Sequence, residues 1–267
     1  MNCGVGGENT LTIMARQGAY PMKLAHDITL FADNQVRYTN YIGGTDIPTF
    51  LSTYNDHEVT PLLRGDDERS SAQVNPCYID GRLTHLRSQA TYWQEQGHYV
   101  FEYNYFIQPT DCPATHTIAQ GTPIETHAMR TLRGQYANIF FIGQNGGFND
   151  AADLINQLQA MIDYADSPRY LVISYHKPNR VTPTIARMQD MEDSLHNAFG
   201  PRFINLRQYM TTQALRDAHL TPTPADADSI AHGQVPPQLL TDGTHFTPTG
   251  YQLIAGQVKR KFEEMGW

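Results

Sequence analysis

Asp242-Gly243-Thr244-His245-Phe246 sets an aspartate three residues ahead of a histidine. In a tight turn such a carboxylate can hold the imidazole from behind and fix its tautomer. It also stabilises the imidazolium and leaves the other ring nitrogen as a general base. The alternative is an aspartate that merely closes a turn before a surface histidine. A second segment, Gly143-Gln144-Asn145-Gly146, follows the apolar run from Ala137 to Ile142. Asn145 can aim its side-chain amide at a developing oxyanion while Gly143 permits close approach. The same four residues also suit an ordinary turn. Gly147-Phe148-Asn149-Asp150 offers a similar set, but Gly143 follows the apolar run directly and is preferred. The third segment, Asn2-Cys3-Gly4-Val5-Gly6-Gly7-Glu8, is a glycine-rich turn that could present a further oxyanion donor from its backbone.

The elements that must position these residues are legible as patterns. Ala137 to Ile142, ending in Gly143, predicts a strand buried on both faces. Asp150 to Ala165 carries Leu154, Ile155, Leu158, Met161, Ile162 and Ala165 at helical spacing. Tyr170 to Tyr175 predicts a second buried strand, Met188 to Phe199 a helix, and Phe203 to Leu206 a short third strand. Thr247-Pro248 supplies an N-cap and a first-turn proline for a last helix, with Tyr251, Ile254, Ala255, Val258 and Phe262 on its inner face. Strands alternating with helices predict a parallel sheet covered on both sides. Thr10 to Arg16 reads as a short helix. Between these parts, Gln35 to Ile42 and His98 to Ile107 are rich in β-branched and aromatic residues, with Tyr99, Phe101, Tyr103 and Tyr105 at period two. Turn-rich stretches such as Arg64-Gly65-Asp66-Asp67 and Asn75-Pro76-Cys77 separate them, so this region is expected to be mainly β.

Composition excludes several function classes. The 267 residues suffice for one large α/β domain with an insertion. With 27 acidic against 19 basic residues, the net charge of -8 argues against a nucleic-acid partner. The longest apolar runs are too short to span a bilayer. Cys3, Cys77 and Cys112 form neither a disulfide framework nor a metal signature, although one pair could bridge in an exported protein. No basic start followed by an apolar stretch marks a signal peptide, and no compartment is indicated. His85, His98, His116, His127 and His176 show no metal-ligand spacing, so neither a metal nor a cofactor is expected.

In this chain order the three segments resemble the SGNH hydrolase superfamily, the GDSL-like lipases, esterases and acylhydrolases. Asn2 to Glu8, followed by Ala15-Arg16, looks like the family's glycine block; Gly143 and Asn145 match its Gly-x-Asn block, and Asp242 and His245 its Asp-x-x-His block. The resemblance implies a three-layer α/β/α, flavodoxin-like domain over residues 1–26 and 125–267, interrupted by the mainly β insertion at 27–124. It implies His245 as base, Asp242 as its orienting partner, and Gly7 with Asn145 as oxyanion donors beside Gly143. The family's Gly-Asp-Ser block, which carries the nucleophilic serine, is absent from this sequence, so the nucleophile is unknown and expected upstream of Met1. Ser70, Ser71, Ser174 and Cys3 occupy the wrong blocks. The implied substrate is a small ester: an acyl group on a carbohydrate is the first expectation, with lipids and other esters open. The alternative is a catalytically inactive, carbohydrate-binding relative of the same fold.

Overall fold

The computed structural model describes residues 4, 8–20, 22–24, 27–33, 41–43, 53–54, 57–58, 77–95, 98–110, 112–177 and 184–267. Its chain divides into two compact units, residues 1–134 with 163–166, and residues 135–162 with 167–267. Residues 1–26 fall within the first of these units.

The first unit opens with helix α1 (Thr10–Gln17). Asn9 caps it reciprocally: Asn9 Oδ1 accepts from the Thr12 N–H, and Thr12 Oγ1 accepts from the Asn9 N–H, both at 3.0 Å. Arg16 on the inner face donates from Nε to both carboxylate oxygens of buried Glu8 at 3.0 Å. Then come strands β1 (Met22–Lys23), β2 (Ile28–Leu30), β3 (Tyr41–Gly43), β4 (Thr53–Tyr54), β5 (His57–Glu58), β6 (Cys77–Ile79), β7 (Arg82–Glu95), β8 (His98–Pro109), β9 (His116–Ile118) and β10 (Pro123–Glu125). A short helix, α2 (His127–Thr131), closes the unit. The largest sheet has the order β1-β10-β6-β7-β8-β3, and every pairing in it is antiparallel. Asp80 and Gly81, both at positive φ, join β6 to β7 in the two-residue geometry that matches strand twist. The backbone of β8 covers the Tyr99 to Tyr105 stretch; the directions of those side chains, and residues 34–40, 64–67 and 75–76, lie outside what the structure describes.

The second unit carries the parallel sheet. Its elements are β11 (Asn138–Phe141), α3 (Ala151–Ala165), β12 (Tyr170–Ile173), α4 (Ile185–Phe199), β13 (Phe203–Ile204), α5 (Leu206–Thr212), α6 (Ala214–Asp217), α7 (Pro224–Ala231) and α8 (Pro248–Glu264). Strand order is β11-β12-β13, parallel throughout, with Ile139 opposite Leu171 and Val172 opposite Phe203. Leu171 and Ile173 point into a core shared with Ile204, Leu206, Leu239 and Ile254. Full burial of each such side chain contributes about 1.5–3 kcal/mol. On α3, Leu154, Leu158, Met161, Ile162 and Ala165 are buried, as the spacing predicts. Asp150 lies outside the helix, and the strands after β11 end sooner than their apolar runs.

Two expectations need correction. β11 is not buried on both faces: Phe140 is 8% exposed, but Ile139 is 46% and Phe141 39% exposed. Among the described residues β11 pairs only with β12, so it is an edge strand and its side chains alternate. On α8 the core receives Ile254 with Leu253, Val258 and Phe262, whereas Tyr251 and Ala255 are exposed.

One charge is buried in the apolar stripe of α4. Met188, Glu192, Leu195 and Phe199 share its inner face, and Glu192 is only 3% exposed. Arg207 answers it with two 2.6 Å hydrogen bonds, from Nε to Oε1 and from Nη2 to Oε2, and Asn205 Nδ2 adds a third at 3.0 Å. Removing one partner strands the other charge in the core. Arg207→Leu is therefore expected to lower stability by about 3–5 kcal/mol. Glu192→Leu combined with Arg207→Leu should recover part of that loss, as measured by urea unfolding; a smaller loss for Arg207→Leu than for the double variant would show that the pair is not coupled.

Candidate active site

The site begins with the last turn before α8. Leu240 and Phe246 form an antiparallel bridge, the Thr241 N–H donates to the His245 carbonyl at 2.7 Å, and the Thr247 N–H donates to the Leu239 carbonyl at 2.9 Å. Gly243, at φ +79, lets the chain reverse within this frame. Thr247 then caps α8 by accepting from the Gly250 N–H at 3.2 Å, with Pro248 in the first turn.

Inside the turn, Asp242 Oδ1 accepts from the backbone N–H groups of His245 (2.8 Å) and Thr244 (3.0 Å), and Oδ2 lies 2.7 Å from His245 Nδ1. The hydrogen bond from the His245 backbone, then that from its ring, holds the Asp242 carboxyl down at about 2, so it is ionised at any ordinary pH. An ionised carboxylate only accepts, so the proton on the shared side resides on Nδ1. In the neutral ring Nε2 is then the nitrogen with the lone pair, and the His245 side chain is 71% exposed. The pair has the geometry of a base and its orienting carboxylate.

The Gly-x-Asn turn lies one residue beyond β11. Gly143 has φ +106, and a Cβ there would fall 2.6 Å from Tyr175 Cδ1. The turn closes with the Gly146 N–H on the Gly143 carbonyl at 3.1 Å. Gln157, fully buried on α3, donates to the Gly147 carbonyl at 2.8 Å, and Asp153 accepts from the Asn149 N–H at 2.9 Å. The helix thus grips the turn that holds Asn145. Beside Asn145, both side-chain polar atoms of Gln144 are buried without a hydrogen-bond partner among the described residues.

Consecutive residues after β12 join the two turns. Tyr175 packs against Gly143 and lies 5.9 Å from the Phe148 ring, and His176 lies 4.6 Å from the Phe246 ring. Both turns therefore flank the carboxyl end of the central parallel strand, where open α/β sheets bind ligands. Gly7 lies outside the described residues, together with Asn2, Cys3, Val5, Gly6, Ser70 and Ser71.

The described serines and thiols near the sheet have structural partners. Ser174 is 2% exposed and its Oγ accepts from the Leu206 N–H at 2.9 Å. The Cys112 thiol donates to the Ala114 carbonyl at 3.0 Å, and burial pushes Cys77 up to about 12, far from a reactive thiolate. Among the described residues no group of three or more His, Cys, Asp or Glu could hold a metal ion, and no helix is long and apolar enough to cross a membrane.

Sequence pattern does not single out two residues that the structure places at the site. Gln157 falls inside an apolar stripe, and only its buried hydrogen bond shows its part in holding the turn. His176 has no metal spacing, yet it is 7% exposed and packs beneath the Thr244–Phe246 turn. Neither of its ring nitrogens makes a well-formed hydrogen bond among the described residues, although the Thr244 backbone lies close enough to favour the charged form. Burial dominates and lowers His176 to about 4.

Comparison with known proteins adds nothing to these observations: no family model, no curated protein and no solved structure matches the chain.

The geometry of the two turns sets the response to substitution. Gly143→Ala must combine positive φ with a clash against Tyr175, and should destabilise the protein by about 2 kcal/mol or more, read as a lower urea midpoint. His176 is neutral when folded and protonates near its usual value of 6.5 when unfolded, so its contribution is complete above pH 6.5 and is lost as pH falls to about 4. The loss should be on the order of 2–3 kcal/mol. His176→Phe should flatten that limb of the stability profile; an unchanged slope between pH 6.5 and 4 would show that other groups generate it.

Proposed function

We propose that this protein is an ester hydrolase of the SGNH, GDSL-like type, built on a three-layer, flavodoxin-like α/β domain. The observation that carries the reading is the 2.7 Å contact between Asp242 and His245 Nδ1, with Nε2 left exposed beside the carboxyl end of β12. The order of the Gly143-x-Asn145 and Asp242-x-x-His245 segments along the chain supports it.

In this reading His245 Nε2 takes the proton of the attacking serine hydroxyl and later returns it to the leaving alcohol. Asp242 fixes the ring and stabilises the imidazolium. The Asn145 amide donates to the oxyanion of the tetrahedral intermediate, where preorganised donors act most strongly. The serine comes from a Gly-Asp-Ser segment upstream of Met1. The substrate is a small ester, with an acylated carbohydrate as the first candidate to assay.

The test uses p-nitrophenyl acetate and acetylated sugars, assayed with the present chain and with a form extended by the sequence encoded upstream. The extended form should be active and the present chain nearly inactive. In the active form, His245→Ala should lower kcat by about four orders of magnitude or more, and Asn145→Ala by about 10²–10³-fold. Turnover that survives His245→Ala would refute the site, and an extended form that never hydrolyses esters would refute the reading.

A further inference from the structure

Behind the Asp242 turn lies a cavity of about 420 Å³. It is walled by the end of β12, the starts of α4 and α5, the end of α7 and the segment before α8. Its size is that of cavities which enclose small organic ligands, about 300–1000 Å³. No local pattern marks it, because its walls come from five separate stretches of chain.

The lining is mostly apolar: Ile185, Met188, Val235, Pro237 and Leu240. Ile185, 39% exposed, turns its side chain to this wall beside Gly233. Charged groups are few and opposed. Lys177 shares the wall with the negative Asp242, and Arg207 is neutralised by Glu192. The formal charges therefore cancel, and an ion of either sign gains no net attraction while losing its hydration. His176, more than nine-tenths buried and without a well-formed hydrogen bond among the described residues, completes the wall. A buried imidazole whose ring nitrogens lack a well-formed hydrogen bond can take one from a ligand.

We propose that this cavity binds a neutral aliphatic molecule carrying a hydroxyl or ester oxygen, its chain against Ile185, Met188 and Leu240 and its oxygen toward Lys177 and Asp242. A hydroxyl suits this pair because it donates to a carboxylate and accepts from an ammonium. The site is distinct from the His245 Nε2 face, and its occupancy does not depend on ester hydrolysis. Asp242 is common to both, so a bound chain lies against the carboxylate that orients His245.

The experiment titrates the present chain with 1-butanol, 1-hexanol and 1-octanol, following saturable shifts in protein NMR spectra. Affinity should rise about fourfold for each added CH2, the increment of burying one methylene. Hexanoate and hexylammonium should bind more weakly than 1-hexanol. Ile185→Trp and Gln234→Trp fill the cavity from its exposed rim, and each should abolish binding while retaining a cooperative melt; the second serves if the first does not fold. Saturable binding by the present chain, whatever its turnover of esters, separates this proposal from the ester reading. No saturable binding, binding that persists in both tryptophan variants, or tighter binding of either ion than of the alcohol would overturn it.

Discussion

The closure of the chain between Leu239 and Thr247 is the constraint on which the candidate site depends. Phe246 is 5% exposed and belongs to the same core as Leu171, Ile173 and Ile254. It anchors one end of the turn in the sheet, while Leu239, fully buried, anchors the other. Gly250 fits beneath because a Cβ would meet the Leu239 carbonyl at 2.8 Å. With both ends fixed by packing, the residues between them have little freedom, and Asp242 finds two backbone donors within its own turn.

That mechanical origin matters because the ion pair is exposed. The Asp242 and His245 side chains are 53% and 71% accessible, and a solvated pair of this kind contributes little to stability. Coulomb attraction alone would not hold the imidazole in one orientation. The backbone N–H groups of Thr244 and His245 fix the carboxylate, and the carboxylate then fixes the ring. The direction of cause runs from core packing to turn to carboxylate to base.

Polar groups inside the second unit follow the same logic with different outcomes. Glu192 and Arg207 satisfy each other, and Arg207 Nη1 also reaches the Gly233 carbonyl at 3.1 Å. Gln157 spends its amide on the turn after β11. Asp226 is buried, yet the hydrogen bonds it accepts from Thr223 and Gln238 keep its carboxyl below the usual range. The Gln144 amide and the His176 ring nitrogens lack a well-formed hydrogen bond among the described residues, one beside Asn145 and the other beneath Thr244, and the Gln157 carbonyl oxygen lacks one as well. Buried polar groups left this way cost stability, so each calls for a reason.

The sequence by itself determined what is local. The helical spacing from Leu154 to Ala165, the Thr247-Pro248 cap and the Asp242-x-x-His245 tetrad each depend on interactions within a few residues, so they are legible as patterns. The Asp80-Gly81 hairpin is as local, a turn dipeptide between two strands, although it is not among the turns expected from the sequence above. Tertiary structure decided what depends on neighbours. Whether the Ile139–Phe141 run is central or edge rests on how many strands pair with it, and which residues of α8 are buried rests on what that helix packs against. The helices over 206–231 carry no strong apolar period, since they are short and draw their order from packing. His176 reads in sequence as a scattered histidine because nothing in the chain around it indicates burial; its place beneath the turn is set by contact with Phe246, far away along the chain. Local hydrogen-bonding and periodicity travel with the sequence, whereas burial and partnership are properties of surfaces that only the folded chain brings together.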